Sequence, residues 1–334
     1  MEYSLLGPSG IRVSRICLGT ATFGVAPAAD DATRLVHAAL DRGVNFVDTA
    51  NSYGHLPHFD RPGTPPAAAR EPAEELVGRA LHGRRDEVVL ATKAGEPVGP
   101  GVGDRGLSRR HLFRQLEASL RRLRTDHVDV YYAHHPDPDT PLAQTLRAFD
   151  DMVRQGKVRY AALSTYPAWQ LTHALWIGSD LGLDPPVCAQ VRYNLVDRAV
   201  EREVVPAARR FGLSLVAFSP LSGGLLAGED AASREYAGER RWGGQGYSAR
   251  QREAAGRLSS LAGEWGQPPE RLALAWLLAR PGVASAIVGP ETPAELDASV
   301  AAAGLTLAPE QVAALDEIGE SGRDLVELVR RSTG

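Results

Sequence analysis

Eight short, β-branched apolar runs recur along this 334-residue chain, each separated from the next by enough residues for a helix. They fall at residues 16–20, 44–48, 88–92, 128–132, 158–163, 187–190, 214–218 and 284–289. Most lack polar alternation, as expected of strands buried on both faces of a parallel sheet. Amphipathic helical patterns lie between them, at 32–42, 73–82, 108–122, 141–154, 168–180 and 201–210. Strand and helix alternating through eight units predict a (β/α)8 barrel, read as one domain with its core over residues 3–305 and a C-terminal helix over 309–331.

Local signals agree with this reading. Ser108 is placed to cap a helix N-terminus, and Pro309 follows Ala308 where the last helix should begin. Gly43, Gly156 and Gly212 each fall between a helix and a strand, where a left-handed residue ends a helix at least cost. Three segments exceed the minimal barrel: 55–72, 95–106 and 221–247. All follow strands, so all project from the C-terminal face, where barrel active sites form, and they are expected to wall a substrate pocket. The letters Gly101-Val-Gly-Asp-Arg-Gly106 match a dinucleotide fingerprint. Gly95, Pro97 and Pro100 separate them from the preceding strand, so a loop is expected instead of the required strand-to-helix turn.

Composition excludes several classes. The net charge of −4 gives no basic field for nucleic acid. Cys17 and Cys188 are too few for a disulfide framework or a zinc cluster, and they fit a reducing compartment. The sequence shows no signal-peptide pattern and no apolar run near the ~20 residues of a membrane span, so a cytoplasmic, membrane-free protein is expected.

Chemistry concentrates at the strand C-termini. Asp48 ends the second strand, Lys93 the third and His134 the fourth; Ser164, Gln190 and Phe218 follow on the fifth to seventh. Tyr53, five residues beyond Asp48, can fold over the same mouth. Polar groups at buried strand ends need a reason, and carbonyl reduction supplies one. A tyrosine hydroxyl can protonate a developing alkoxide, but its ordinary pKa near 10 makes it slow. A neighbouring ammonium lowers that pKa, and an aspartate keeps the ammonium charged. A histidine can orient the carbonyl oxygen. Asp48, Tyr53, Lys93 and His134 supply one of each. His135, next along the strand, is expected to point the other way.

These residues also carry a resemblance. Phe46-Val-Asp-Thr-Ala-Asn-Ser-Tyr-Gly54 resembles the FDTAxxYG signature of aldo-keto reductases, and Val89-Leu-Ala-Thr-Lys93 their third-strand lysine motif. Val128-Asp-Val-Tyr-Tyr-Ala-His134 with Pro136 and Asp137 is similar to DLYxxHxxD, residues 10–24 to the family's opening, and 218–225 to its seventh-strand loop. The resemblance implies Tyr53 as general acid, Lys93 and Asp48 as its tuning pair, and His134 orienting the carbonyl. It implies Ser164, Thr165 and Gln190 on the nicotinamide carboxamide, Phe218 stacked on the ring, and Thr20, Ser219, Leu221 and Gly223 along the nicotinamide and pyrophosphate. Phe218 stands where tyrosine or tryptophan is usual, and Thr165 where asparagine is common.

Residues 287–299 resemble the family's adenine-end motif, from Gly289 to Ser299. Glu291 replaces its basic residue, Glu295 its second polar residue and Ser299 its asparagine; Glu229 stands where a lysine is frequent. A 2′-phosphate needs cations, whereas a carboxylate suits a free ribose 2′-hydroxyl. The family's habit favours NADPH and Glu291 favours NADH, with Arg234, Arg240 and Arg241 available to a phosphate; both cofactors stay open. The expected partner is a small carbonyl substrate, either a sugar-like or natural-product ketone or a broad range of aldehydes. Reverse alcohol oxidation and homo-oligomers stay open too. The alternatives are a nicotinamide-binding regulatory subunit, like the potassium-channel beta subunits that resemble this family, and a metal-dependent barrel enzyme. A metal at His55, His58 and Asp60 is not expected.

Overall fold

The computed structural model describes residues 1–233 and 246–319. Eight parallel strands close into a barrel: β3 (Ile16–Gly19), β4 (Phe46–Asp48), β5 (Val89–Ala94), β6 (Val128–Ala133), β7 (Val158–Ser164), β8 (Cys188–Arg192), β9 (Ser214–Phe218) and β10 (Val283–Val288). The order is sequential, and β10 closes the ring against β3. All eight expected strands are present within a few residues of their predicted ends.

Residues alternate between two buried environments. Ile16, Leu18, Val47, Leu90 and Tyr131 face outward onto the helices, whereas Cys17, Phe46, Ala91, Val130, Tyr132, Ala162, Cys188 and Val216 fill the interior. Burial on both faces is why these runs read as continuous hydrophobic stretches. Each large interior side chain contributes about 1.5–3 kcal/mol by leaving water.

An antiparallel hairpin, β1 (Tyr3–Leu5) and β2 (Arg12–Ser14), precedes the barrel and was not foreseen. It brings Leu6 and Val13, both fully buried, against the interior cluster. Ser4 donates to Ala284 O, the Gly7 amide to Ser214 Oγ, and Tyr160 Oη to Ser9 O. These partners lie at the strand N-termini, so the hairpin plugs the end opposite the active mouth.

The outer helices are α1 (Ala29–Asp41), α2 (Ala73–Ala80), α3 (Arg109–Leu123), α4 (Leu142–Arg154), α5 (Ala168–Leu181) and α6 (Val204–Phe211), near the expected positions. Ser108 caps α3 by accepting from the His111 amide, and Gly43, Gly156 and Gly212 all take positive φ. Beyond β9 come α7 (Glu229–Ser233), α8 (Ala249–Glu264), α9 (Pro269–Leu278), α10 (Pro293–Ala302) and α11 (Pro309–Asp316). Of α8, α9 and α10 the sequence reading had none. The helix expected over 309–331 begins at Pro309 but gives way to a turn after Asp316; residues 320–334 lie outside the described residues. Among the described residues, no helix is long and apolar enough to cross a membrane.

The fingerprint-like stretch is a loop. Asp104 folds back to accept from the Gly101 amide and pairs with Arg114, and no residue of 101–106 lines the cavity described below.

Candidate active site

The interior stripe of successive strands, followed upward two residues at a time, ends in a functional group. Phe46 is followed by Asp48, Ala91 by Lys93, Tyr132 by His134, Ala162 by Ser164, Cys188 by Gln190 and Val216 by Phe218. The period of two therefore turns apolar filler below into a polar ring above. Strand register steps the ring upward from β4 to β6, with Asp48 opposite Ala91 and Lys93 opposite Tyr132, and sets Ser164 opposite Gln190.

Tyr53 reaches this ring because the loop after β4 is fastened to β5. The Thr49 amide donates to Ala91 O and the Asn51 amide to Lys93 O, while buried Asn51 Nδ2 donates to Gln115 Oε1 of α3. Gly54 follows at φ 96°, and a Cβ there would lie 2.8 Å from Glu71 O, so no other residue fits this turn.

Lys93 is fully buried and its ammonium uses every proton. It donates to Asp48 Oδ1, to Thr49 O at 2.9 Å and to Tyr53 Oη at 3.2 Å. Burial pulls this ammonium down, but Asp48 and Tyr53 more than compensate and leave it above its ordinary value. Because Lys93 donates to Tyr53, the phenol's own proton stays free for a third group. Burial pushes the Tyr53 phenol up; Lys93 opposes this and Asp48 adds to it, so the hydroxyl stays above its ordinary value. The expected lowering of Tyr53 by Lys93 is present, but desolvation outweighs it. Asp48 spends its second oxygen on Gln190 Nε2, at 2.8 Å.

His134 lies edge-on to Tyr53, with ring centroids 5.9 Å apart. Burial, then Lys93 and His135, holds its pKa well below 6.5, so the imidazole is neutral at neutral pH. His135 corrects the sequence reading. β6 ends at Ala133, so alternation no longer governs, and the His135 ring stacks on His134 at 4.8 Å and lines the same cavity. Its Nε2 meets Glu96 Oε1 at 2.6 Å and its Nδ1 meets Thr165 Oγ1 at 2.6 Å. Glu96, His134 and His135 bring ligand-type atoms within 4.8 Å of one another, although both ring nitrogens of His135 are already engaged. Asp60, considered with His55 and His58, is committed to Arg70 and the Ala67 amide.

One cavity of about 630 Å³ gathers these groups. Asp48, Tyr53, His134, Ser164, Thr165, Gln190, Phe218, Ser219, Leu221 and Gly223 line it together with Thr20. Gly289, Glu291, Glu295 and Ser299 extend it to the N-terminus of α10. Every residue expected at the site is therefore on this lining except Lys93, which lies beneath it. Thr165 holds φ 60°, a costly backbone for a β-branched residue. Its hydroxyl is turned to His135 and to the carbonyls of Ser164 and His134. Arg234, Arg240 and Arg241 lie outside the described residues, as do the side chains of His58 and Glu229.

The segment 55–72 is an ordered insert built round Arg70, which the sequence reading missed. Its buried guanidinium donates to Gly54 O at 2.9 Å and Leu56 O at 2.8 Å and pairs with Asp60. Leu56 and Phe59 from this insert line the cavity. Farther along, Arg61 crosses to Glu291 Oε1 at 3.1 Å.

The lining suits an extended nicotinamide dinucleotide. Ser164 and Gln190 are hydrogen-bonding groups on the same lining as the aromatic Phe218, and a Cβ at Gly289 would meet open space, leaving backbone accessible. The sequence profile of the Aldo/keto reductase family matches residues 15–320. The chain belongs to the aldo/keto reductase family. This member is 39% identical over 325 residues to an uncharacterized oxidoreductase, YrpG, of Bacillus subtilis, covering 95% of this chain and 96% of that one. It is 35% identical to a probable voltage-gated potassium channel subunit beta of Oryza sativa, over 86% and 87% of the two chains. It is 30% identical to an L-glyceraldehyde 3-phosphate reductase of Escherichia coli O157:H7, over 95% and 92%. Membership makes this aldo/keto reductase an oxidoreductase that uses a nicotinamide cofactor, NAD(P)H.

Proposed function

We propose that this aldo/keto reductase reduces an aldehyde or ketone to an alcohol, with Tyr53 as the general acid. The observation that carries this reading is the contact of Lys93 Nζ with Tyr53 Oη at 3.2 Å on the cavity floor. A bound reduced nicotinamide supplies the hydride to the carbonyl carbon. Tyr53 gives its proton to the carbonyl oxygen, and the tyrosinate left behind faces the Lys93 ammonium, which lowers its cost. Asp48 keeps Lys93 charged and, through Gln190, ties that pair to the wall assigned to the nicotinamide carboxamide. Ser164 shares that wall with Gln190, and Phe218 offers the stacking face. Neutral His134 donates to the carbonyl oxygen and fixes its direction. Tyr53 recovers its proton from water as the alcohol leaves.

For the substrate we propose a polar, hydroxylated carbonyl compound of sugar-like type. The lining combines apolar Leu56 and Phe59 with Glu96, His135 and Arg192. Paired donors and acceptors of this kind match hydroxyl groups better than a plain alkyl chain. A phosphorylated aldehyde, suggested by the name of the Escherichia coli relative, fits less well. Among the described lining residues the single guanidinium is that of Arg192, itself paired with Asp197. Two buried free thiols, Cys17 and Cys188, suit action in the cytoplasm.

A second reading is a regulatory nicotinamide-binding subunit with little turnover, which the likeness to probable potassium channel beta subunits of two plants does not by itself favour over an enzyme. A panel of hydroxylated and plain carbonyls, followed by loss of reduced-nicotinamide absorbance with NADPH and with NADH, separates the two. Turnover with hydroxylated members is expected. Tight dinucleotide binding with no turnover across the panel would favour the regulatory reading.

A further inference from the structure

Asp137, the last residue of the fourth-strand motif, is not used by the proton chemistry, and its contacts show what it holds. One carboxylate oxygen accepts from the Leu107 amide at 2.6 Å and from Thr140 Oγ1 at 2.7 Å; the other accepts from the Asp139 amide at 2.9 Å. Asp137 therefore ties the segment entering α3 to the turn leaving β6. On the first of these, Gly95 O accepts from the Gly106 amide at 2.9 Å, and Glu96 follows on the cavity lining. On the second, His135 lies between Glu96 Oε1 and Thr165 Oγ1, 2.6 Å from each. A carboxylate, an imidazole and a hydroxyl from three successive strand ends thus stand in a row. The row is one step out from the reacting groups: His135 stacks on His134, which lies edge-on to Tyr53. The charge of Glu96 reaches Tyr53, where it helps to hold the phenol up. A metal ion lies in the plane of each imidazole that ligates it. The rings of His134 and His135 are stacked within 7° of parallel, so their lone pairs do not converge on one ion.

We propose that Glu96 and His135 form a specificity-determining pair that binds a hydroxyl on the carbon next to the reacting carbonyl. The inference rests on the reading of Tyr53 and His134 as the groups that hold the carbonyl oxygen. With the oxygen held there, the neighbouring carbon of the substrate faces the next groups along the lining. The 4.8 Å step from the His134 ring to the His135 ring is the span of a carbon–carbon bond followed by a hydrogen bond. A carboxylate has several acceptor positions, and His135 takes one, so Glu96 can still accept from a substrate hydroxyl. Thr165 and Asp137 hold the pair in place before substrate arrives, which reduces the cost of ordering it. A methyl group in place of the hydroxyl would cover the carboxylate and offer it no donor. The side chains of Glu96 and His135 are 31% and 48% exposed, so water softens that penalty. Discrimination should therefore be tens of fold, below the roughly 10⁴-fold of a fully buried site.

The test uses substrate pairs that differ by a hydroxyl against a methyl: hydroxyacetone with butanone, and 2-hydroxypropanal with 2-methylpropanal. The quantity read is the ratio of kcat/KM within each pair, in the wild type, Glu96→Met and His135→Phe. The hydroxyl activates the carbonyl equally in every variant, and a change at Tyr53 acts on both members of a pair, so both effects cancel when ratios are compared. Wild-type protein should favour the hydroxylated member by at least ~30-fold, and Glu96→Met should reduce that ratio by at least ~10-fold. His135→Phe keeps the stacked ring without its polar edge and should reduce the ratio by at least ~3-fold. Dinucleotide binding, followed by quenching of protein fluorescence, shows which variants are folded. An undiminished ratio in the variants that bind dinucleotide, or a wild-type ratio near one, would overturn the inference while leaving the reductase reading intact. No turnover of any carbonyl, in these pairs or in the wider panel, by wild-type protein that binds dinucleotide would overturn both.

Discussion

Lys93→Met removes the ammonium while keeping most of the side-chain volume. In the folded protein, Lys93 is 0% exposed and its three protons go to Asp48, Thr49 O and Tyr53. The substitution leaves the Asp48 carboxylate, 2% exposed, with Gln190 as its remaining donor among the described residues and no compensating charge. Breaking a buried pair by removing one partner costs about 3–5 kcal/mol. At about 2 °C per kcal/mol for a chain of this size, Tm should fall by roughly 6–10 °C. Asp48→Asn in the same chain removes the stranded charge, so the double variant should recover at least ~2 kcal/mol relative to additivity. Urea unfolding of the wild type, both single variants and the double variant measures that coupling. Reductase turnover should be lost in Lys93→Met and stay lost in the double variant, since Asp48→Asn restores no cation beside Tyr53. A loss below ~1 kcal/mol for Lys93→Met, with coupling below ~0.5 kcal/mol, would refute the argument that this pair is buried and interdependent.

Arg70→Ala should loosen the insert: its guanidinium holds Gly54 O, Leu56 O and Asp60, and hydrogen bonds from a charged group contribute about 1.5–3 kcal/mol. Steady-state kinetics should show KM raised more than kcat is lowered, because Leu56 and Phe59 move while Lys93 keeps its strand-borne position and the loop bearing Tyr53 stays fastened to β5 through Thr49 and Asn51. His134 predicts a pH effect on stability. Its folded pKa lies well below the ordinary 6.5, so the unfolded chain binds a proton that the folded chain refuses. Stability from this group is therefore present above pH 6.5 and lost as pH falls below it toward the folded value. Chemical denaturation of His134→Asn between neutral and mildly acid pH should show a shallower decline than wild type; an identical slope would refute the neutral, buried assignment.

Much of the barrel was legible because strands buried on both faces leave runs free of charged residues, as in Val283–Val288, where all six positions are buried. The polar ring was legible for a related reason: Asp48 and Lys93 are costly residues at the ends of such runs, so they stand out. The plug hairpin did not stand out, since each strand is three residues long and its partners lie as far away as Ala284 and Ser214. The turn signal Gly7-Pro8-Ser9-Gly10 was the clue available. Helix α9 escaped because Leu272 to Leu278 are all buried, leaving no polar face to reveal the helical period. The alternation rule failed at His135 because the strand had already ended. Arg61 and Arg70 could not be read at all: a charge on a loop does not announce its partner, and Glu291 lies 230 positions away.

The central claim is that the Tyr53 hydroxyl delivers the proton that completes hydride transfer. Single-turnover reduction by Tyr53→Phe, preloaded with saturating reduced nicotinamide, tests it most directly. Loss of the donor should slow the step by at least ~100-fold while dinucleotide affinity stays as in wild type. Turnover retained at the wild-type rate would contradict the account and remove Tyr53 as the acid.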